Sequence, residues 1–264
     1  MSKFRFLLLF CLSFFSITAN ANFVFNENCI KAYKNILSLK FNEGALQLAQ
    51  EKKINPNNKI PVLLENYIDF LKVLTTENNA SFENFKSNKS ARISIIEDDD
   101  KRSPWYLYAA AEINLQSCIN RFKYLEFVSG AYELQKAYKL LEENQKKFPD
   151  FLPNKKSFAL LYGLIGLVPE QYKWALSSIG LKGNTEQGAA MLEDLTQKLP
   201  KSNYAYFYDE SAFFLSFIYL SKEGDPAIYD KVKLVCDAVP KTNLLGVYVK
   251  ALAASKTGHT DDAI

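Results

Sequence analysis

The sequence predicts an all-α fold of antiparallel helical hairpins stacked as an α-solenoid, and three observations carry that prediction. Glycine and proline are scarce, 10 and 9 in 264 residues, which disfavours the many tight turns of a β-sandwich or barrel. Long stretches rich in Ala, Leu, Lys, Glu and Gln run between the few breaks and favour helix. Most of these stretches carry a single apolar stripe, the pattern of helices that pair and stack. Hydrophobic residues at 48% against charged residues at 23%, with 20 Phe and 15 Tyr, supply ample material for a core.

The first 21 residues have a different design. Lys3 and Arg5 form a basic head, Phe6 to Ile17 is an apolar run of about a dozen residues, and Ala19-Asn20-Ala21 follows. The run is short of the roughly 20 residues a spanning helix needs. Basic head, apolar run and small-x-small site in that order are the features of a cleavable export signal, with the cut between Ala21 and Asn22. Cys11 does not make it a lipoprotein, because Phe10 stands where lipid attachment needs a small residue. Removing the signal takes two of the 32 basic residues and none of the 29 acidic ones, leaving a net charge of +1. No basic stripe remains to argue for nucleic acid, and no other segment reaches spanning length. The expected location is the periplasm or outer envelope.

From there the pattern reads as helices at 27–39, 42–54, 60–76, 80–96, 104–121, 126–147, 155–167, 170–179, 185–198, 204–221, 225–238 and 243–256. Asn55-Pro56-Asn57-Asn58, Phe148-Pro149-Asp150, Gly180-Leu181-Lys182-Gly183 and Leu199-Pro200-Lys201 punctuate them. Three breaks share a spacing: Gly44, Ala137 and Gly188 each lie twelve residues before Pro56, Pro149 and Pro200, with Leu48, Leu141 and Leu192 four residues into the interval. A small residue lets two helices approach closely, and the Pro ends the second helix.

This arrangement resembles the tetratricopeptide repeat, and the resemblance implies a bacterial exported helical-repeat protein that binds other proteins. Phe41-Asn42-Glu43-Gly44-Ala45-Leu46, running on to Pro56, looks like that repeat's second helix. Gly258-His259-Thr260-Asp261-Asp262-Ala263 resembles its turn glycine followed five residues later by a small residue. The departures are the separations of 93 and 51 residues between the three small positions, not multiples of 34, and the lack of a clean aromatic–Leu–Gly–Tyr first helix. A weaker likeness, Val168-Pro169 through Gly180-Leu181-Lys182-Gly183-Asn184 to Gly188 and Leu192, is to a tetratricopeptide family associated with the mitochondrial outer membrane. Asn184 replaces that family's usual Asp, and no activity is carried over. Locally, Asn184 or Thr185 caps the next helix and Gln187 completes a capping-box-like turn.

Few residues offer chemistry. His259 is the one histidine, so multi-His metal sites and Ser-His or Cys-His pairs are not expected. Gly180-Leu181-Lys182-Gly183 lacks the Gly-Lys-Ser/Thr of a phosphate loop. Glu97-Asp98-Asp99-Asp100 lacks the alternating ligands of a calcium loop and reads as a solvated connection. No catalytic carboxylate pair is identified. Cys29, Cys118 and Cys236 read as buried thiols, with one disulfide left open. Catalytic, cofactor and metal sites are all expected to be absent.

The aromatic stretch at 204–221 is the one hint of a surface. On a single helix Tyr204, Tyr208, Leu215 and Tyr219 share one face and Phe207, Phe214 and Phe217 another. Tyr204, Tyr208 and Tyr219 are therefore the candidate protein-binding residues, lining a concave groove if they are not simply core. The function expected is a scaffold that binds a protein or peptide on its concave face. The alternative is a permanent subunit of an envelope complex, which a large exposed apolar patch would favour; an enzyme with a helical toroid fold is a distant third. At the end of the sequence, Asp261 to Ile264 reads as only a first helical turn, leaving Leu245, Tyr248 and Leu252 partly uncovered. The expectation is a longer protein or a covering subunit. N-terminal sequencing of protein from its native host should give Asn22 as the first residue; an intact Met1 terminus recovered from cytoplasm defeats the export reading.

Overall fold

The computed structural model describes residues 22–99, 101–168, 174, 176–221 and 227–263. The export segment at 1–21 lies outside them, as do residues 170–173 and 175 of the helix expected at 170–179. Among the described residues the chain is all-α, without strands. The helices are α1 (Glu27–Leu37), α2 (Phe41–Ile54), α3 (Ile60–Thr76), α4 (Asn79–Glu97), α5 (Pro104–Lys123), α6 (Phe127–Lys147), α7 (Leu152–Gly166), α8 (Thr185–Lys198), α9 (Tyr208–Leu220), α10 (Ile228–Cys236) and α11 (Leu244–Lys256).

Local chemistry sets their starts. Asn26, Asn78, Ser103, Asn184 and Asn243 cap α1, α4, α5, α8 and α11 by accepting from first-turn amides. Proline occupies the first turn of α3, α5 and α7, where its missing N–H costs nothing. At α8, Asn184 Oδ1 takes the Gln187 amide at 2.8 Å. The stretch at 204–221 is not one helix: Ala205–Phe207 is a 3-10 turn, and α9 begins only at Tyr208.

Consecutive helices pair as hairpins, α1 with α2, α3 with α4, α5 with α6, α7 with α8 and α9 with α10, while each odd helix also packs on the next odd one. Four turns share one geometry. Leu39, Leu125, Gly180 and Gly258 are left-handed, with φ of 59°, 61°, 79° and 80°. The next amide in each case reaches back to the carbonyl five residues before it: Lys40 to Asn35 at 2.9 Å, Glu126 to Arg121 at 2.8 Å, Leu181 to Leu176 at 3.0 Å, His259 to Ala254 at 2.9 Å. This is the Schellman closure of a helix end, usually made with glycine. A leucine there costs about 1–2 kcal/mol of backbone strain.

Five residues after the first two turns stand Gly44 and Gly130. A Cβ on Gly44 would lie 2.7 Å from Ile36 Cγ1, and one on Gly130 would lie 2.4 Å from Phe122 Cε1. In the long α6 the close approach beside the turn thus belongs to Gly130. Ala137, the position picked out by the spacing of twelve, lies two helical turns further on, fully buried with Leu141. At Gly188 the contact is with backbone: a Cβ would lie 2.7 Å from the Ala159 carbonyl oxygen and 2.9 Å from the Gly163 nitrogen. Leu48 and Leu192 are buried as the spacing implies.

In the acidic connection after α4, Glu97 and Asp98 are exposed as expected, and Asp99 departs from that reading. Asp99 is not solvated: its side chain is buried, accepts from Asn22 Nδ2 at 2.7 Å and lies 3.7 Å from Lys59 Nζ. It ties the start of the described chain to the α4–α5 connection. Gly188→Ala should lower stability by roughly 1–3 kcal/mol, although alanine favours helix by about 1 kcal/mol, because α7 and α8 must move apart. A denaturant melt at or above wild type would show that this contact is slack.

Candidate functional site

The odd helices converge on a polar cluster that the sequence reading did not anticipate. Lys156 of α7 is 0% exposed, Glu112 of α5 is 3% and Glu210 of α9 is 4%. Lys156 Nζ donates to Glu210 Oε2 at 2.6 Å and to Glu112 Oε2 at 3.2 Å, and lies 3.0 Å from the Tyr67 hydroxyl. Tyr33 of α1 donates to Glu210, Tyr67 of α3 donates to Glu112, and Ser157 donates to the other oxygen of Glu112. Each odd helix from α1 to α9 therefore supplies at least one member. The contacts span up to 177 positions in sequence, between Tyr33 and Glu210.

The surroundings are aromatic. The Lys156 ammonium sits 5.2 Å from the Phe207 ring centre, 5.7 Å from those of Tyr67 and Phe214, and 5.8 Å from that of Tyr108. Further rings extend the shell outward: Trp105 and Phe151 meet edge to face at 5.0 Å, and Phe25 stacks on Tyr206 at 4.5 Å. Burial opposes the charge on Lys156, yet Glu112 and Glu210 outweigh it and hold the ammonium well above its ordinary pKa. Burial raises the Glu210 carboxyl above its ordinary value against the pull of Lys156. Burial, then the neighbouring carboxyls, also raises the Tyr33 and Tyr67 phenols, so both stay protonated donors.

Two carboxyls on facing helices are thus brought together after all, with a lysine between them. The signal was present in the sequence. Glu112 follows Ala109-Ala110-Ala111, Glu210 lies three residues after Phe207 and four before Phe214, and Lys156 precedes the apolar run from Phe158. Each is a lone charge on an apolar stripe, and buried charges need partners.

A groove of about 660 Å³ opens just outside this cluster, lined in part by Lys34 of α1, Lys201, Tyr206, Tyr208 and Asp209 at the start of α9, and Asn243. Asn243 Nδ2 donates to Asp209 Oδ2 at 3.1 Å, and burial raises that carboxyl's pKa. The three candidate tyrosines do not form one face. Tyr208 lines the groove and donates to the Val235 carbonyl at 3.0 Å. Tyr219 is buried and donates to Glu193 Oε1 of α8 at 2.7 Å. Tyr204 is half-buried, edge-on to Phe151 at 5.5 Å.

Cys29, Cys118 and Cys236 are buried free thiols, and burial pushes Cys29 up to about 12. His259 is exposed and stacks on Tyr229 at 4.0 Å. Among the described residues no group of His, Cys, Asp and Glu has the arrangement to hold a metal ion, and no helix is long and apolar enough to cross a membrane. Compared with family models, curated proteins and solved structures, the chain matches none.

Lys156→Met should destabilise the fold by about 3–5 kcal/mol, because two carboxyls lose their counter-charge in the core. Adding Glu112→Gln and Glu210→Gln to that variant should recover a large part of the loss. Equal melts for the single and triple variants would show that charge is not what holds the cluster.

Proposed function

We propose that this chain is an exported, tetratricopeptide-like helical-repeat scaffold that binds a protein or peptide and carries out no chemistry of its own. The observation that supports the repeat reading is the turn at Leu39, Leu125, Gly180 and Gly258, with its shared hydrogen bond and, after the first two, with Gly44 and Gly130 against the preceding helix. Stacked hairpins built on such a turn form a solenoid, whose use in general is to present an extended surface to a partner. The export signal adds the periplasm or outer envelope as the place of work, and a net charge of +1 after cleavage argues for protein rather than nucleic acid.

The binding face we assign is the groove between α1, the start of α9 and the α10–α11 turn. The inward faces of the odd helices are taken up by the Lys156 cluster and its aromatic shell, whereas the groove is open. Tyr208 offers its ring there, Tyr206 lines it with one ring face already stacked on Phe25, and Lys34 and Lys201 are exposed ammonium groups at its rim. That combination suits an extended peptide with acidic side chains or a terminal carboxylate. Tyr204 packs beside this face, and Tyr219 serves it only by bracing α9 against α8.

A second reading, a permanent subunit of an envelope complex, is favoured by a different surface. Leu125, Phe127, Val128 and Tyr132 are 73%, 59%, 87% and 58% exposed around the α5–α6 turn. Apolar side chains concentrated in this way mark contact surfaces. The double variant Lys34→Glu, Lys201→Glu separates the readings. Capture of acidic partner peptides should fall at least about tenfold, with helical content and melting unchanged. Undiminished capture that is instead lost in Val128→Asp would move the partner to the α5–α6 turn.

A further inference from the structure

Two carboxyls, Glu112 and Glu210, share one ammonium in a place from which water is excluded. With both carboxyls ionised the cluster would hold an uncompensated negative charge among Tyr108, Phe207 and Phe214, at a cost of several kcal/mol. One retained proton makes it neutral. The groups that face it are Tyr33 from α1, Tyr67 from α3, Tyr108 and Glu112 from α5 and Lys156 from α7, with Glu210 itself on α9. None of these can supply a second positive charge.

The cluster sits where the first hairpin meets the fifth. Tyr33 reaches Glu210 across that junction, and outside it Phe25 rests on Tyr206 and Phe207. The residues next in sequence, Lys34 on one side and Asp209 on the other, form opposing parts of the groove wall. We propose that the Lys156–Glu112–Glu210 cluster is a proton-dependent latch: one retained carboxyl proton keeps α1 docked on α9, and its loss at rising pH loosens that junction. The groove, on the reading given above, widens as the junction loosens; the latch itself is independent of what the groove binds.

The direction follows from linkage. The Glu210 carboxyl is raised in the folded protein from an ordinary value of 4.5. The folded state therefore keeps a proton that the unfolded state has released. Its contribution is fully present below about pH 4.5 and declines as pH rises through the folded value. The Tyr33 and Tyr67 phenols and the Lys156 ammonium are raised above their own alkaline values, so a window of about pH 5 to 8.5 reports the raised carboxyls of Glu210 and Asp209, and only the first is removed in Glu210→Gln.

Glu210→Gln keeps the shape and the acceptor but cannot ionise. Melting temperatures of the full chain and this variant, measured across that window, should diverge, with wild type falling by several degrees relative to the variant as pH rises. Hydrogen exchange of the α1 amides should show the same event. After correction for intrinsic exchange, wild-type protection should drop by up to about tenfold per pH unit, and the drop should be absent in the variant. Parallel melting curves, or α1 protection independent of pH, would overturn the latch. If the variant does not fold, exchange of Asp209→Asn decides: a drop with rising pH that persists there supports the latch, and one that vanishes overturns it. Neither measurement involves a ligand, so a groove that binds no peptide leaves both intact.

Discussion

The interior of this protein is arranged around one buried ammonium. A lysine without solvent is tolerated only where carboxylates and hydroxyls surround it, and here those groups come from α1, α3, α5, α7 and α9. Each odd helix must therefore sit at one height and one rotation relative to the others. Apolar packing alone leaves such choices loosely set, because a leucine contact survives a small slide that a 2.6 Å hydrogen bond does not. The cluster acts as a registry device, and the aromatic shell of Trp105, Phe151, Phe207 and Tyr206 keeps it dry.

A second polar system, between the α3–α4 and α5–α6 hairpins, has a similar logic. Arg92 bonds Asp69 at 2.6 Å and Asn66 at 3.0 Å, Asn66 passes on to Gln116 at 2.7 Å, and Lys89 pairs with Glu133. The Arg92 bonds tie α3 to α4 within one hairpin, whereas Asn66–Gln116 and Lys89–Glu133 cross to the next. Apolar contacts such as Gly44 on Ile36 and polar ones such as Arg92 on Asp69 together build the pairs, and the crossing polar contacts set how one pair sits on the next. Because those crossings are matched by side-chain chemistry, separations of 93 and 51 residues between small positions need not disrupt the packing.

Much of the helical order was legible. Asparagine and serine caps, first-turn prolines and the Asn55-Pro56 and Phe148-Pro149 breaks put most helix ends within a residue or two of their places, since these are local effects. The misreadings came where tertiary contacts decide. Tyr204 reads as helix by composition, but the chain around it turns through a 3-10 segment so that Phe207 can cover Lys156. Asp99 reads as solvated within an acidic run, yet Asn22 and Lys59 come to it from distant positions. The Lys156 cluster was the largest omission, because its members are single charges on separate helices and only their convergence gives them meaning. The groove was equally hidden, being assembled from helix ends far apart in sequence.

The left-handed turn at Leu39 and Leu125 has a consequence for how such a chain can change in length. The turn fixes where the second helix starts, so an insertion within it would rotate that helix by about 100° per residue and carry Gly44 or Gly130 away from its seat on Ile36 or Phe122. The Asn55–Lys59 stretch between α2 and α3 is held by a different device, the buried Asn58 side chain, which bonds the Val24 backbone and Glu51. The few residues inside each turn thus behave as a rigid elbow whose angle is inherited whole.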